Sequence, residues 1–428
     1  MKKLLIKNGT IVNADEVIVS DILAVDGIIE KIENDIVEDG AEIIDATGKY
    51  VLPGLVDLHV HLREPGQEYK EDIESGSKAA AHGGFTRVAC MPNTNPVCDN
   101  AVTVSYIVNR AKEVGLTKVH PIGAATKGLD GNQLAEIGKM KKFGAVAISD
   151  DGKPVSTAQM VRLVMEYADD FNIKLHAHCE DKSLTADGVV NEGTYSTFVG
   201  LKGICNASES VAVEREISIA EAFNKSVHIC HVSTKESIDA IRRAKERGVK
   251  VTAETCPHYF TLNDSVVMDF STATKVNPPI RAEIDRLAVI EGLRDGTIDA
   301  IATDHAPHHV DDKDVEYAYA AFGITGLETS FTLSYTKLVK ENGFTLPQLV
   351  KLMSKTPSEI IGVDGGVIEC GKCADFAIVD LDAEWVIDKT KFYSKGKNTP
   401  FDGYSTKGKV YCTVLDGKVV HKEDEIYG

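Results

Sequence analysis

Apolar residues fall into three textures along the chain. Over residues 1 to about 50 they form short runs at 4–6, 10–12, 22–25 and 28–32, with Asn8-Gly9 and Asp26-Gly27 between runs as hairpin signals. From Val51 onward, apolar strand-like runs alternate with longer stretches of helical periodicity, the signature of βα units and a parallel sheet. Eight such strands can be placed, at 55–61, 86–91, 119–124, 145–150, 173–178, 227–231, 250–254 and 300–304. Helical patterns at 69–82, 158–169, 208–224 and 234–247 lie between several of them. Eight is the count of a (β/α)8 TIM barrel. After about Val363 the short β runs return, at 376–379, 385–387, 410–415 and 418–421. The expected organisation is an α/β barrel over 51–363, with 1–50 and 364–428 pairing into one small β-sandwich.

Composition narrows the class. With 428 residues, 43% hydrophobic and 26% charged, the chain is long enough for a barrel plus an accessory domain and reads as a globular enzyme. Its formal charge of −18 disfavours nucleic acid or an anionic membrane as partner. The N-terminus has only a three-residue apolar run, which does not read as a signal peptide, and no stretch approaches the roughly 20 apolar residues of a membrane span. A cytoplasmic protein is expected. Several of the nine cysteines sit inside apolar runs as small hydrophobes, and Cys370-Gly371-Lys372-Cys373 has no second pair to complete a metal knuckle.

Chemistry gathers at the strand ends, where barrel enzymes place their active groups. The first strand ends in His59-Val60-His61-Leu62-Arg63-Glu64-Pro65-Gly66. Alternate side chains share a face, so His59 and His61 converge as an N-donor pair for zinc or a similar ion. Arg63 follows with the same parity, a fixed cation suited to gripping a carboxylate. Strand four ends in Ser149-Asp150-Asp151-Gly152, strand five in His176-Ala177-His178-Cys179-Glu180, strand six in His228-Ile229-Cys230-His231, and strand eight in Thr303-Asp304-His305-Ala306-Pro307-His308. An isolated HxH is more often two core histidines than a metal site. Here it recurs with matching partners on further strands.

Four imidazoles and two carboxylates can hold two divalent ions, which polarise an amide carbonyl and lower the pKa of a bound water to about 7. Position on the rim favours His178 over His176 and His231 over His228, leaving the lower pair as core or supporting residues. Asp304, at the mouth of strand eight, is the best-placed proton shuttle. His305 beside it should face away from the centre.

The motifs Asp57-Leu58-His59-Val60-His61-Leu62-Arg63-Glu64-Pro65-Gly66, Met91-Pro92-Asn93-Thr94, Ile148-Ser149-Asp150-Asp151-Gly152 and Ala302-Thr303-Asp304-His305-Ala306-Pro307-His308 resemble those of the amidohydrolase superfamily, and in detail the class I, bacterial-type dihydroorotases. The resemblance implies reversible hydrolysis of dihydroorotate to N-carbamoyl-L-aspartate, the third step of pyrimidine synthesis, with two Zn2+ per subunit. It implies that His59, His61 and Asp304 hold one metal, that His178 and His231 hold the other, and that a strand-four residue bridges them. Asp151 matches a direct aspartate bridge seen in some members; Asp150 and a carboxylated Lys153 are the alternatives. Arg63, Asn93, Asn277 and His308 would bind the substrate anion together with His61, and the backbone at Phe322-Gly323 would contact the ring. The same resemblance implies a homodimer, in some relatives associated with aspartate transcarbamoylase.

Dihydropyrimidinases or hydantoinases and allantoinases share the chemistry, but their substrates lack the ring carboxylate that Arg63 would recognise. An inactive scaffolding relative is the other class of reading, and filled ligand positions weigh against it. The polar run 308–314, followed by apolar 317–326, is expected to form a lid over the substrate.

Overall fold

Eight parallel strands follow one another round a barrel: Leu55–Val60, Phe85–Cys90, Lys118–Ala124, Ala147–Ser149, Lys174–Ala177, Val227–Ile229, Val251–Thr255 and Ala300–Ile301. The computed structural model describes residues 2–427. Each strand pairs with its sequence neighbours, and the first meets the last through a parallel bridge between Val60 and His305, with the His61 amide donating to His305 O (2.8 Å). Asp57 reinforces that seam: its Oδ1 accepts from the backbone N–H of His59 (3.0 Å) and of Thr303 (3.1 Å). The strands are apolar and buried on both faces because helices cover the outside, as the near-continuous hydrophobic runs require.

Covering helices include Ile73–His82, Ala101–Val114, Ala158–Asp169, Ala207–Phe223, Lys235–Glu246 and Glu283–Asp295. Their starts are legible in local chemistry. Asp72, Asn100, Thr157 and Thr234 each accept a first-turn backbone N–H as N-caps. Among the described residues no helix is long and apolar enough to cross a membrane.

The terminal segments share a nine-stranded sheet running from Glu425–Ile426 through Lys418–Lys422, Ser405–Leu415, Phe376–Val386, Tyr50–Pro53, Lys3–Val12 and Val17–Val25 to Ile28–Glu33, with Glu42–Asp45 paired to the side. The two terminal segments pair with each other as expected, hydrogen-bonded into one continuous sheet. It bends back on itself, since Ile29 exchanges backbone hydrogen bonds with Gly371 and Lys372 just before the strand at Phe376. Leu4, Ile6, Ile22, Ile29, Phe376 and Val414 share the enclosed core. Asp26-Gly27 forms the expected two-residue hairpin turn, with φ of 48° and 85°. Asn8-Gly9 does not: it lies inside the single strand Lys3–Val12, where the register shifts between Ile6 and Gly9. Asn8, at φ 60°, supplies the left-handed residue of a bulge rather than of a turn.

Candidate active site

At the C-terminal rim of the barrel, Asp151 stands at the centre of four imidazoles. Its Oδ1 lies 3.5 Å from His59 Nε2, 3.3 Å from His178 Nδ1 and 3.8 Å from His231 Nε2; its Oδ2 lies 3.6 Å from His61 Nε2. Two donor clusters therefore share it: His59, His61 and Asp151, and Asp151, His178 and His231. Asp304 faces the first cluster, with Oδ1 3.0 Å from His61 Nε2 and 3.5 Å from His59 Nε2. Of the alternatives at strand four, Asp150 turns away and is consumed by the amides of Ala125 (2.9 Å) and Thr126 (3.0 Å) and by the Thr126 hydroxyl. Lys153 is exposed to solvent. The two aspartates point in opposite directions just past the end of the Ala147–Ser149 strand.

A second set of contacts fixes the donor atoms. His59 Nδ1–H donates to Glu254 Oε1 (3.0 Å), His61 Nδ1–H to Asn93 Oδ1 (2.9 Å), and His178 Nε2–H to Glu180 Oε2 (3.1 Å). The remaining nitrogens point inward. His59 Nε2 is buried without a hydrogen-bond partner among the described residues, and His178 Nδ1 faces His231 Nε2 at 2.8 Å. Two imidazole lone pairs so close repel unless a proton or a cation sits by them. Burial alone would raise the carboxyl of Asp151, but the facing imidazoles hold it well below the usual range; Asp304 is lowered in the same way. Burial opposes charge on His178 too, yet Asp151 and Glu180 on its two nitrogens pull it up to about 9. Buried carboxylates, converging imidazoles and one shared aspartate fit divalent metal.

Backbone strain marks the same rim. Arg63, His231 and Asp304 all have positive φ, at 61°, 36° and 47°. Each costs roughly 1 kcal/mol or more for a residue with a Cβ, and such conformations collect at functional sites. They also explain why parity could not settle His231: the chain leaves its strand at Ile229, and the left-handed residue swings the ring inward.

A cavity of about 330 Å³ opens over the cluster, lined by His61, Arg63, Asn93, Asn277, His308, Phe322 and Gly323 among others. Arg63 is buried, its Nε donating to Pro307 O (3.3 Å), with Nη2 3.3 Å from His308 Nε2. His308 Nε2–H donates to Phe322 O (2.9 Å), and Nδ1 accepts from Lys70 Nζ (3.4 Å). Burial, with Arg63, Lys70 and Lys313 nearby, pushes its pKa down to about 3, so it is neutral. Asn93 spans His61 and Asp151, donating to Asp151 Oδ2 (3.3 Å), and Asn277 donates to Glu180 Oε2 (3.3 Å). Both polar groups of the Gly323 backbone are already used, the N–H by Lys275 O (2.9 Å) and the carbonyl by Lys313 Nζ (3.1 Å) and Asn398 Nδ2 (3.0 Å). Gly323 thus offers shape rather than a free hydrogen bond. At φ 152°, with a Cβ bound to meet Ala306 O at 2.6 Å, only glycine fits. The expected lid segment is fastened: Lys313 is buried and donates to the carbonyls of Lys275, Ala321 and Gly323.

Three residues escaped the sequence reading. Glu254, Asp57 and Glu180 are buried acids in or just beyond barrel strands, the first two lying inside apolar runs where no surface role is available. That context was the available signal. His305 faces away from the cluster, its Nδ1 accepting from the Gly326 amide (3.1 Å) and its Nε2 lying 3.4 Å from Glu71. His176 and His228 lie deeper in the barrel, ring centroids 4.4 Å apart.

The chain is similar to known proteins along its length. The Dihydro-orotase-like family matches residues 48–237. A dihydroorotase of Acetivibrio thermocellus is 53% identical over 422 residues, 98% of this chain and 99% of that one. One of Ruminiclostridium cellulolyticum is 53% identical over 420 residues, 98% of each chain. Among solved structures, the L-hydantoinase (dihydropyrimidinase) from Arthrobacter aurescens shares the fold with a TM-score of 0.89 at 26% identity, covering 100% of this chain and 98% of that one. With likeness at half identity along nearly its whole length, the chain belongs to the dihydroorotase family.

Proposed function

We propose that the protein interconverts dihydroorotate and N-carbamoyl-L-aspartate, a step of pyrimidine synthesis, at the Asp151-centred site. The observation that carries this reading is the buried Arg63 guanidinium, which lines the cavity beside the carboxylate–imidazole cluster. Hydantoin and allantoin offer no ring carboxylate to such a cation. The half-identical relatives named dihydroorotase support the same choice.

His59, His61, Asp304 and Asp151 would hold one divalent ion, and Asp151, His178 and His231 a second, with zinc favoured by the imidazole-rich donor set. When bound, such ions supply Lewis-acid polarisation of the ring carbonyl and acidify the attacking water. The remaining work belongs to side chains. Arg63 pairs with the substrate carboxylate and sets the ring's orientation, and neutral His308 stands beside it, 3.3 Å from Nη2, without adding a competing charge. Asn93 keeps His61 and Asp151 in their working directions. In hydrolysis, Asp304 accepts the proton of the water that attacks the ring amide carbon. The C–N bond then breaks, and Asp304 returns the proton to the departing ring nitrogen. Cyclisation runs the same transfers backward. The family resemblance supports a cytoplasmic homodimer, with aspartate transcarbamoylase a candidate partner.

Initial rates of the metal-loaded protein on dihydroorotate, carbamoyl aspartate, hydantoin and allantoin test the reading. Turnover of the first two in opposite directions is expected; preference for hydantoin or allantoin would defeat it.

A further inference from the structure

The cavity wall beside the metal-binding cluster includes two backbone stretches, 306–308 and 322–325, which touch directly where the Ala306 N–H donates to Ile324 O (2.9 Å) and His308 Nε2–H to Phe322 O (2.9 Å). Between them stands Asn398, contributed by the connection between the sheet strands Phe376–Val386 and Ser405–Leu415, outside the barrel. Its buried amide is fully used. Oδ1 accepts from the His308 backbone N–H (3.0 Å), and Nδ2 donates to Ala306 O (3.0 Å) and to Gly323 O (3.0 Å). Its own carbonyl accepts from the Thr325 N–H (3.0 Å). The fit is close: a Cβ on Gly396, two residues earlier, would sit 2.6 Å from the Pro307 side chain. No other side chain of this size offers one acceptor and two donors in that arrangement.

We infer that Asn398 is a positioning residue for substrate, setting the spacing between His308 and the Phe322–Gly323 edge so that the anion and the ring meet one rigid wall. The inference rests on the proposed dihydroorotate chemistry and adds to it a part supplied by the terminal sheet. The carboxylates and imidazoles at the strand ends do not depend on Asn398. Its loss therefore weakens binding of substrate in ground and transition states alike, and leaves the chemical step largely intact.

Two variants test this. Asn398→Asp keeps the acceptor for His308 but sets a carboxylate against the carbonyls of Ala306 and Gly323; Asn398→Ala removes all three side-chain bonds. In each, KM for dihydroorotate and carbamoyl aspartate should rise about tenfold, as expected for loss of buried hydrogen bonds, while kcat changes by less than about threefold. Bound metal should match the wild type. Unchanged KM in either folded variant, or loss confined to kcat, overturns the inference. Amide hydrogen exchange gives a readout independent of turnover. His308 and Thr325 should exchange slowly in the ligand-free wild type, and His308 much faster in Asn398→Ala. If the wild type fails to turn over dihydroorotate, the functional reading falls and exchange alone decides the positioning role. Rapid wild-type exchange at His308 overturns that role even if neither variant folds.

Discussion

At Arg63 two demands meet: a buried guanidinium must be compensated, and a carboxylate substrate must be gripped. Among the described residues only the carbonyl of Pro307 accepts from it, which leaves most of its donors for a ligand. Arg63→Lys supplies charge without the planar fork, so KM for dihydroorotate should rise about tenfold or more, a charged hydrogen bond being worth roughly 1.5–3 kcal/mol. An unchanged KM in steady-state assays would remove Arg63 from recognition. Asp304 can be separated from mere ligation in a similar way. Asp304→Asn should retain substantial metal, measured by elemental analysis, yet lose most turnover in both directions. Near-normal turnover of that metal-replete variant would exclude the proton-shuttle role. The sequence made these residues legible because strand parity and rim position are enough to place His59, His61, Arg63 and His178, whereas Asp151 was preferred to Asp150 and Lys153 through the family resemblance. It was silent about His231's approach, since a left-handed backbone turn leaves no periodic trace.

Strands and turns read well wherever burial imposed a pattern. All eight barrel strands appear in the expected order, and the Ala158–Asp169 helix has the expected ends. Asn8-Gly9 was misread because a bulge and a hairpin use the same left-handed residues, and only the partner strands tell them apart. The terminal sheet carries a pH dependence of its own. His421, on Lys418–Lys422, is fully buried with neither ring nitrogen hydrogen-bonded among the described residues, and burial, helped by His82, pushes its pKa down to about 3. The unfolded chain then binds a proton that the folded one refuses. Stability from this group is complete above the unfolded value near 6.5 and is lost as pH falls toward 3. In thermal melts from pH 7 to pH 4.5, the wild type should lose ground to His421→Leu as acid is added; parallel curves would contradict the assignment. Gly323→Ala belongs to the same scale. It should raise KM or destabilise the fold, because the added methyl meets Ala306 O and the left-handed φ is strained.

Over the whole molecule a charge of −18 surrounds a cavity that must admit an anion. Arg63 and Lys182 line that cavity and Lys70 contacts His308, which sets local cations where the substrate enters, against Asp151, Glu180 and Asp304 on the same lining. Cation binding at the Asp151 cluster should also be felt globally. Ligands that bind only the folded state stabilise it by about 2.7 kcal/mol at 100 times Kd, so chelation should lower Tm and restored zinc should raise it. A Tm indifferent to both would speak against a metal site. The central claim is sharper still: a metal-dependent cyclic amidase that chooses its substrate by a ring carboxylate held on Arg63. The most direct measurement is the ratio of kcat/KM for dihydroorotate to that for dihydrouracil, the same ring without the carboxylate, in the wild type and in Arg63→Ala. The account predicts a large ratio in the wild type that collapses in the variant through loss on dihydroorotate alone. Comparable rates on both rings in the wild type, or a ratio untouched by Arg63→Ala, would contradict it.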